Sequence, residues 1–215
     1  MESKIITIAH QKGGVGKSTI AFNLAVELSK KYKLSVIDLD YQKSLTIFNE
    51  HRKENSLKPL DIYSFNNQNN FVNFLRKNQS EIILIDIGGF DSDLNRTAIL
   101  AADIIITPVS NSMIEIYGLE NFKQILTDLK EIDPDIKSFV LLNNIDPRAS
   151  KAIIELQEYI QNNSNYFKLL QTIIRRRSDF VKSFELGKSV IEINNKSKAS
   201  KEIKNLIDNI ERILF

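Results

Sequence analysis

The chain has 215 residues, 42% of them hydrophobic, which suits one globular domain (1–215) with an ordinary core. It has no cysteine, which excludes disulfides and thiolate-held metals or clusters. Net charge is only +2, but residues 165–215 hold 11 Lys+Arg against 6 Asp+Glu, leaving 18 against 21 for residues 1–164, so basic character gathers late in the chain. The start, Met1-Glu2-Ser3-Lys4-Ile5, lacks a signal-peptide layout and no apolar run approaches the ~20 residues of a membrane span, so a cytoplasmic protein is expected.

An apolar run, Ile5-Ile6-Thr7-Ile8-Ala9, reads as the first strand, and a helix follows to about Lys31 after the turn at residues 11–16. Leu34–Asp40 reads as a second strand, 44–54 as a short helix, Leu60–Phe65 as a third strand and 69–78 as a helix. Glu81–Ile87 is a buried strand, with a helix near 93, and Ile104–Val109 a fifth strand. A long helix over 115–132, a strand at 138–144, a helix over 149–162, a strand near 168–174 and helices near 178–186 and 196–214 complete the chain. Apolar strands alternating with helices predict a doubly wound α/β fold, mostly parallel, with right-handed crossovers. Ligands in such sheets lie at the carboxyl ends of strands, where Asp38, Asp40, Asp86, Asn143 and Asn144 fall.

The turn between the first strand and helix is Gln11-Lys12-Gly13-Gly14-Val15-Gly16-Lys17-Ser18-Thr19. Backbone N–H groups and a helix N-terminus together favour a phosphate there. The ordinary phosphate loop is G-x-x-x-x-G-K-[ST]. Gly16-Lys17-Ser18 fits its second half, but Gln11 stands where its first glycine belongs, and a second lysine, Lys12, has been added. Lys17 is assigned to the β/γ-phosphates, Ser18 to Mg²⁺ and Thr19 to the α-phosphate. Asp86, ending an apolar strand, is a candidate for hydrated Mg²⁺ or a helix cap, and Gly88-Gly89 after it allows backbone approach to a γ-phosphate. Asp38 and Asp40 project to one side of their strand. One would hold Mg²⁺ through water and the other position the attacking water, Asp40 being the favoured hydrolysis residue. The competing reading makes one of them the cap of the helix beginning near Ser44.

Lys12–Thr19, Asp38-Leu39-Asp40-Tyr41-Gln42, Ile85-Asp86 and Thr107-Pro108-Val109 together resemble the deviant-Walker ATPases of the ParA/MinD group. The late stretch from Ile174-Arg175-Arg176-Arg177-Ser178 to Gly187-Lys188-Ser189-Val190 is similar to the ParA branch. The resemblance covers essentially the whole chain. It departs at Tyr41, where proline is common, and at Gly88-Gly89, where a small residue and proline are usual. It implies an ATP-sandwich homodimer in which Lys12 reaches the partner's nucleotide, in the manner of an arginine finger. It further implies that Asn143 or Asn144 reads adenine, an Asn-Asn turn being the alternative.

ParA-type ATPases bind double-stranded DNA without sequence preference. The resemblance therefore nominates Arg175, Arg176, Arg177 and Lys182 as DNA contacts, which alternatively form a solvated rim with arginines paired to carboxylates. A ParB-like centromere-binding partner and a nucleoid-associated, cytoplasmic location follow from the same resemblance, with a plasmid or chromosome as cargo. With the loop inside the first dozen residues, the short kind without an N-terminal DNA-binding extension is expected. Ile203, Leu206, Ile207, Ile210 and Leu214 give the last helix an apolar stripe. Packing on the sheet is the expected use of that stripe, and membrane binding of the MinD kind the alternative. A biosynthetic or cluster-carrying ATPase sharing the loop is a third reading, weakened by the missing cysteines.

Overall fold

Strands with no polar face need cover on both sides, and the computed structural model meets that need with a seven-stranded parallel sheet between two layers of helices. The structure describes residues 3–111, 114–146 and 150–215; Met1, Glu2 and the expected helix start at residue 149 lie outside them. The elements run β1 (Lys4–Ile8), α1 (Lys17–Leu28), β2 (Leu34–Asp38), α2 (Ser44–Glu54), β3 (Ile62–Tyr63), α3 (Gln68–Lys77), β4 (Ile82–Asp86) and α4 (Asp93–Leu100). They continue with β5 (Ile104–Val109), α5 (Ile114–Leu129), β6 (Ser138–Ile145), α6 (Ser150–Asn162), β7 (Phe167–Arg175), α7 (Ser178–Glu185), α8 (Val190–Ile193) and α9 (Lys198–Leu214).

Sheet order is β3-β2-β4-β1-β5-β6-β7, and every pairing is parallel. From β1 the chain winds outward to β2 and β3, returns to β4, then passes β1 to β5 and winds outward the other way. The order reverses around β1, which makes the crevice beyond its C-terminal end the switch point where ligands enter such sheets. Strand alternation divides the core. Ile6, Ile8, Val36 and Leu84 pack with α1, α2 and α9, while Ile37, Ile83, Ile85 and Ile105 pack with α3, α4, α5 and α6.

Helix α1 is buried almost all round because α2 and α9 flank it on the sheet. Helix α9 is one-sided: Ala199, Ile203, Leu206, Ile207 and Ile210 are buried, while Lys201, Lys204 and Asp208 are exposed. Its apolar stripe is therefore part of the core. No helix among the described residues is long and apolar enough to cross a membrane.

Two elements depart from expectation. Strand β3 spans two residues instead of 60–65. It is an edge strand with β2 as its sheet partner, and Leu60 is held instead by the Asn49 amide, which accepts from Leu60 N at 2.8 Å and donates to Leu60 O at 3.0 Å. Helix α8 was not anticipated. It is started by a capping box in which Ser189 Oγ accepts from Glu192 N and Glu192 accepts from Ser189 N.

Candidate functional site

The turn after β1 wraps the N-terminus of α1, whose cap is Gly16 at φ 89°, ψ 25°. Only glycine fits. The left-handed conformation disfavours a side chain, and a Cβ there would run into Asn143 Nδ2. Lys17 begins α1 with only 5% of its surface exposed, and its Nζ donates to Lys12 O at 3.1 Å across the turn. Burial lowers its pKa, opposed by the nearby charges of Asp86 and Asp40. A buried ammonium at the N-terminus of a helix favours an anion there.

Asp38 and Asp86 end neighbouring strands and face each other in the β2–β4 register. Asp38 is occupied. It accepts from Asp40 N (3.2 Å), Thr46 N (3.2 Å) and Thr46 Oγ1 (3.0 Å), capping α2, so the capping alternative describes its hydrogen bonds, and its carboxylate leaves little for a metal. Burial still raises its pKa, with the Thr46 bonds opposing. Asp86 is wholly buried, and neither oxygen has a hydrogen-bond partner among the described residues. Burial pushes its pKa up to about 7. The Ser18 hydroxyl and Lys17 oppose that rise, Ser18 from close by but outside hydrogen-bonding geometry, and the Asp38 and Asp40 charges add to it.

A buried, orphaned carboxylate beside a hydroxyl is the donor set that a hydrated Mg²⁺ uses next to nucleotide phosphates. Among the described residues no group of three or more His, Cys, Asp or Glu could hold a metal alone, so phosphate or water oxygens would have to complete the shell of any Mg²⁺ held there.

Asp40 lines a cavity of about 430 Å³ with Gly13, Lys17, Ser18, Thr19 and Gly89. Gly89 lies directly against the loop: a Cβ there meets Gln11 O at 3.2 Å and Gly13 N at 3.3 Å. At Gly89 the segment after β4 thus meets the phosphate loop backbone to backbone. Tyr41 and Phe90 border the same cavity and are 88% and 51% exposed, giving this face an apolar rim.

A second cavity, of about 520 Å³, lies on the other side of the loop, between Gly14–Gly16, the end of β6, the end of β7 and α7. The two asparagines differ there. Asn143 is buried and its Nδ2 donates to Val15 O at 2.7 Å, bracing the loop from below. Asn144 is exposed at φ 56°, and its Oδ1 accepts from Arg176 Nε at 3.3 Å. Phe180 and Phe184 supply an apolar wall.

Lys12 does not line the 430 Å³ cavity. Its Nζ lies 2.5 Å from Glu115 Oε1 in the first turn of α5. Neither Glu115 nor its neighbour His10 was anticipated. An acidic residue in a first helical turn is ordinary in a sequence, and the pairing spans 103 residues.

The arginines at the end of β7 and just after it divide. Arg175 and Arg177 both reach Glu202 of α9, at 3.4 Å and 2.6 Å, while Arg176 turns to Asn144. With Lys198, Lys201 and Arg212 they line a cleft of about 590 Å³ in which five basic residues face Glu202 and Asp208. The cleft stays cationic despite the pairing. Lys182 is exposed on α7, apart from that cleft.

Fold and site together define a phosphate-loop nucleotide-binding protein. Residues 6–191 match the CobQ/CobB/MinD/ParA nucleotide binding domain, and the chain belongs to that family of ParA/MinD ATPases. It is 20% identical to the maintenance of carboxysome distribution protein A of Halothiobacillus neapolitanus over 208 residues, 95% of each chain. It is 25% identical to the chromosome partitioning protein ParA of Myxococcus xanthus over 91% of this chain and 83% of that one. A plasmid partition protein of Borrelia burgdorferi bound to AMPPNP superposes with a TM-score of 0.69, at 22% identity, covering 98% of this chain and 99% of that chain.

Proposed function

We propose that this chain is a ParA-type partition ATPase. ATP drives it into a sandwich dimer that holds double-stranded DNA without sequence preference, and hydrolysis stimulated by a ParB-like centromere-binding partner releases it, so that a plasmid or chromosome is moved. The observation that carries the reading is Lys12. Lys17 already lies over the loop of its own chain, whereas Lys12 stands outside the phosphate cavity, where it serves a second nucleotide better than its own.

The residues divide the work. The backbone of residues 13–19 cradles the phosphates, and Lys17 neutralises the β/γ oxygens. Ser18 and Asp86 would hold Mg²⁺, which when bound supplies charge neutralisation at the phosphates. Asp40, at the open side of the cavity, orients the attacking water, and Lys12 of the partner adds positive charge as the terminal phosphate leaves. The base is received beside Asn144 and the phenylalanines of α7. Asn143 supports the loop there, with its amide oxygen left to face the base. The cationic cleft of β7 and α9, doubled in a dimer, offers phosphate contacts whose affinity falls steeply with salt.

The membrane alternative has less support, because most of the α9 stripe is buried against the sheet and its exposed residues are mainly polar, with Ile213 and the following Phe215 the exceptions. Retention of DNA is to be measured with ATP, with ADP and without nucleotide. The reading expects salt-sensitive retention with ATP alone, lost in Lys17→Ala. Equal retention in ADP and ATP overturns it.

A further inference from the structure

The Lys12 ammonium is held, and what holds it is built for the purpose. Glu115 is 1% exposed, and its Oε1 accepts from both Lys12 Nζ (2.5 Å) and Ser110 Oγ (3.0 Å). Its other oxygen, Oε2, has no hydrogen-bond partner among the described residues. His10 Nε2 lies 3.9 Å from it, about an ångström too far to bond, and that nitrogen is also buried without a hydrogen-bond partner among the described residues. Its proton is assigned by the ring's other side: Nδ1 accepts from Lys12 N at 2.8 Å, so a neutral ring carries its hydrogen on Nε2. Burial keeps the ring neutral, with a pKa lowered to about 3.

A carboxylate with one oxygen on Lys12 and the other facing an unused N–H is a two-position element. We propose that Glu115 is the holding residue for Lys12. It retains the lysine within its own subunit when no partner is present, and releases it on dimerisation by closing onto His10 Nε2–H. This rests on the reading that Lys12 acts across a subunit interface. Without His10, departure of the lysine would leave a buried carboxylate with only the Ser110 hydroxyl, a costly state. With it, the carboxylate keeps two donors in either position, so release of the lysine costs less and the arriving nucleotide can drive it. Glu115 touches neither nucleotide nor water in this scheme. It sets how readily Lys12 leaves, and hence the protein concentration at which ATP produces dimer.

The test is a double-mutant cycle on the full chain, with Glu115→Gln, Lys12→Ala and the pair. Sedimentation over a protein dilution series with AMPPNP reads the dimer dissociation constant, ATP turnover is followed in parallel, and thermal melting without nucleotide checks folding. Glu115→Gln keeps the shape and removes the charge. It is expected to tighten the AMPPNP dimer about tenfold, because a charge-assisted bond no longer restrains the lysine. In the Lys12→Ala background the same change is expected to leave the dimer constant unaltered. An unchanged or weakened dimer in folded Glu115→Gln overturns the holding role, as does an equal effect with and without Lys12. Should Lys12→Ala by itself dimerise and hydrolyse ATP like the parent, the underlying reading of Lys12 falls instead.

Discussion

Asp38 and Asp86 sit opposite each other at the ends of β2 and β4, yet donors from Asp40 and Thr46 surround the first and, among the described residues, none bonds the second. Two adjacent carboxylates with such unequal partners are expected to have unequal tasks. Asp38 shapes the start of α2, and Asp86 is left as the open carboxylate beside Ser18 and Lys17.

Asp86→Asn tests that division. The folded pKa, about 7, lies above the ordinary 3.8, so the native state binds more protons than the unfolded one between those values, and stability falls as pH rises through that window. The variant lacks this loss, and its thermal stability relative to the parent is expected to be greater at pH 8 than at pH 5. Its nucleotide affinity in the presence of Mg²⁺ is expected to drop at least about tenfold, with little change in EDTA. Calorimetric titration of ADP with and without Mg²⁺ reads this, and an unchanged Mg²⁺ dependence rules out Asp86 as the metal-holding group.

His10 has the opposite sign. Its folded pKa, about 3, lies below the ordinary 6.5 because of burial first and then the Lys17 and Lys12 charges. Its contribution to stability is full above pH 6.5 and is lost as pH falls toward 3, since the unfolded chain takes up the proton first. His10→Asn retains an acceptor for Lys12 N and removes the titration. The stability difference between parent and variant is expected to widen in the parent's favour from pH 4 to pH 6.5 in denaturant titrations; a flat difference contradicts it.

Glycines of the loop are not equivalent. Gly16→Ala meets both a positive φ and Asn143 Nδ2, and about 1–3 kcal/mol of stability should be lost along with nucleotide binding. Gly13 has no positive φ, and a methyl group added to it would have no neighbour within 4 Å, so Gly13→Ala should stay within about 0.5 kcal/mol of the parent. Chemical denaturation of both variants without nucleotide distinguishes the two costs.

Asp40→Ala separates chemistry from assembly. Its carboxylate lines the phosphate cavity, and one oxygen accepts from Gln42 N at 3.0 Å within its own turn. Hydrolysis is expected to slow about 10²-fold while AMPPNP-dependent dimerisation persists. Unchanged turnover moves the water-orienting role to another residue.

What the sequence determined by itself is whatever depends on neighbours along the chain. Apolar runs marked the strands, the residues from Lys12 to Thr19 marked the loop, and the order of elements dictated a doubly wound parallel sheet. The Ser189-x-x-Glu192 capping box is equally local, yet the short helix it starts was not anticipated from the sequence. The tertiary structure decided everything that joins distant segments. Asn143 rather than Asn144 fits beneath Gly16 because β6 and the loop meet only once the sheet is assembled. Asp38 and Asp86, identical as strand-ending aspartates, separate because α2 happens to begin beside one of them. Lys12 finds Glu115, and Arg177 finds Glu202, through the packing of α5 and α9 on opposite faces of the sheet. Spacing along the chain carries no information on such pairs, because burial and register, set by the whole core at once, choose the partner.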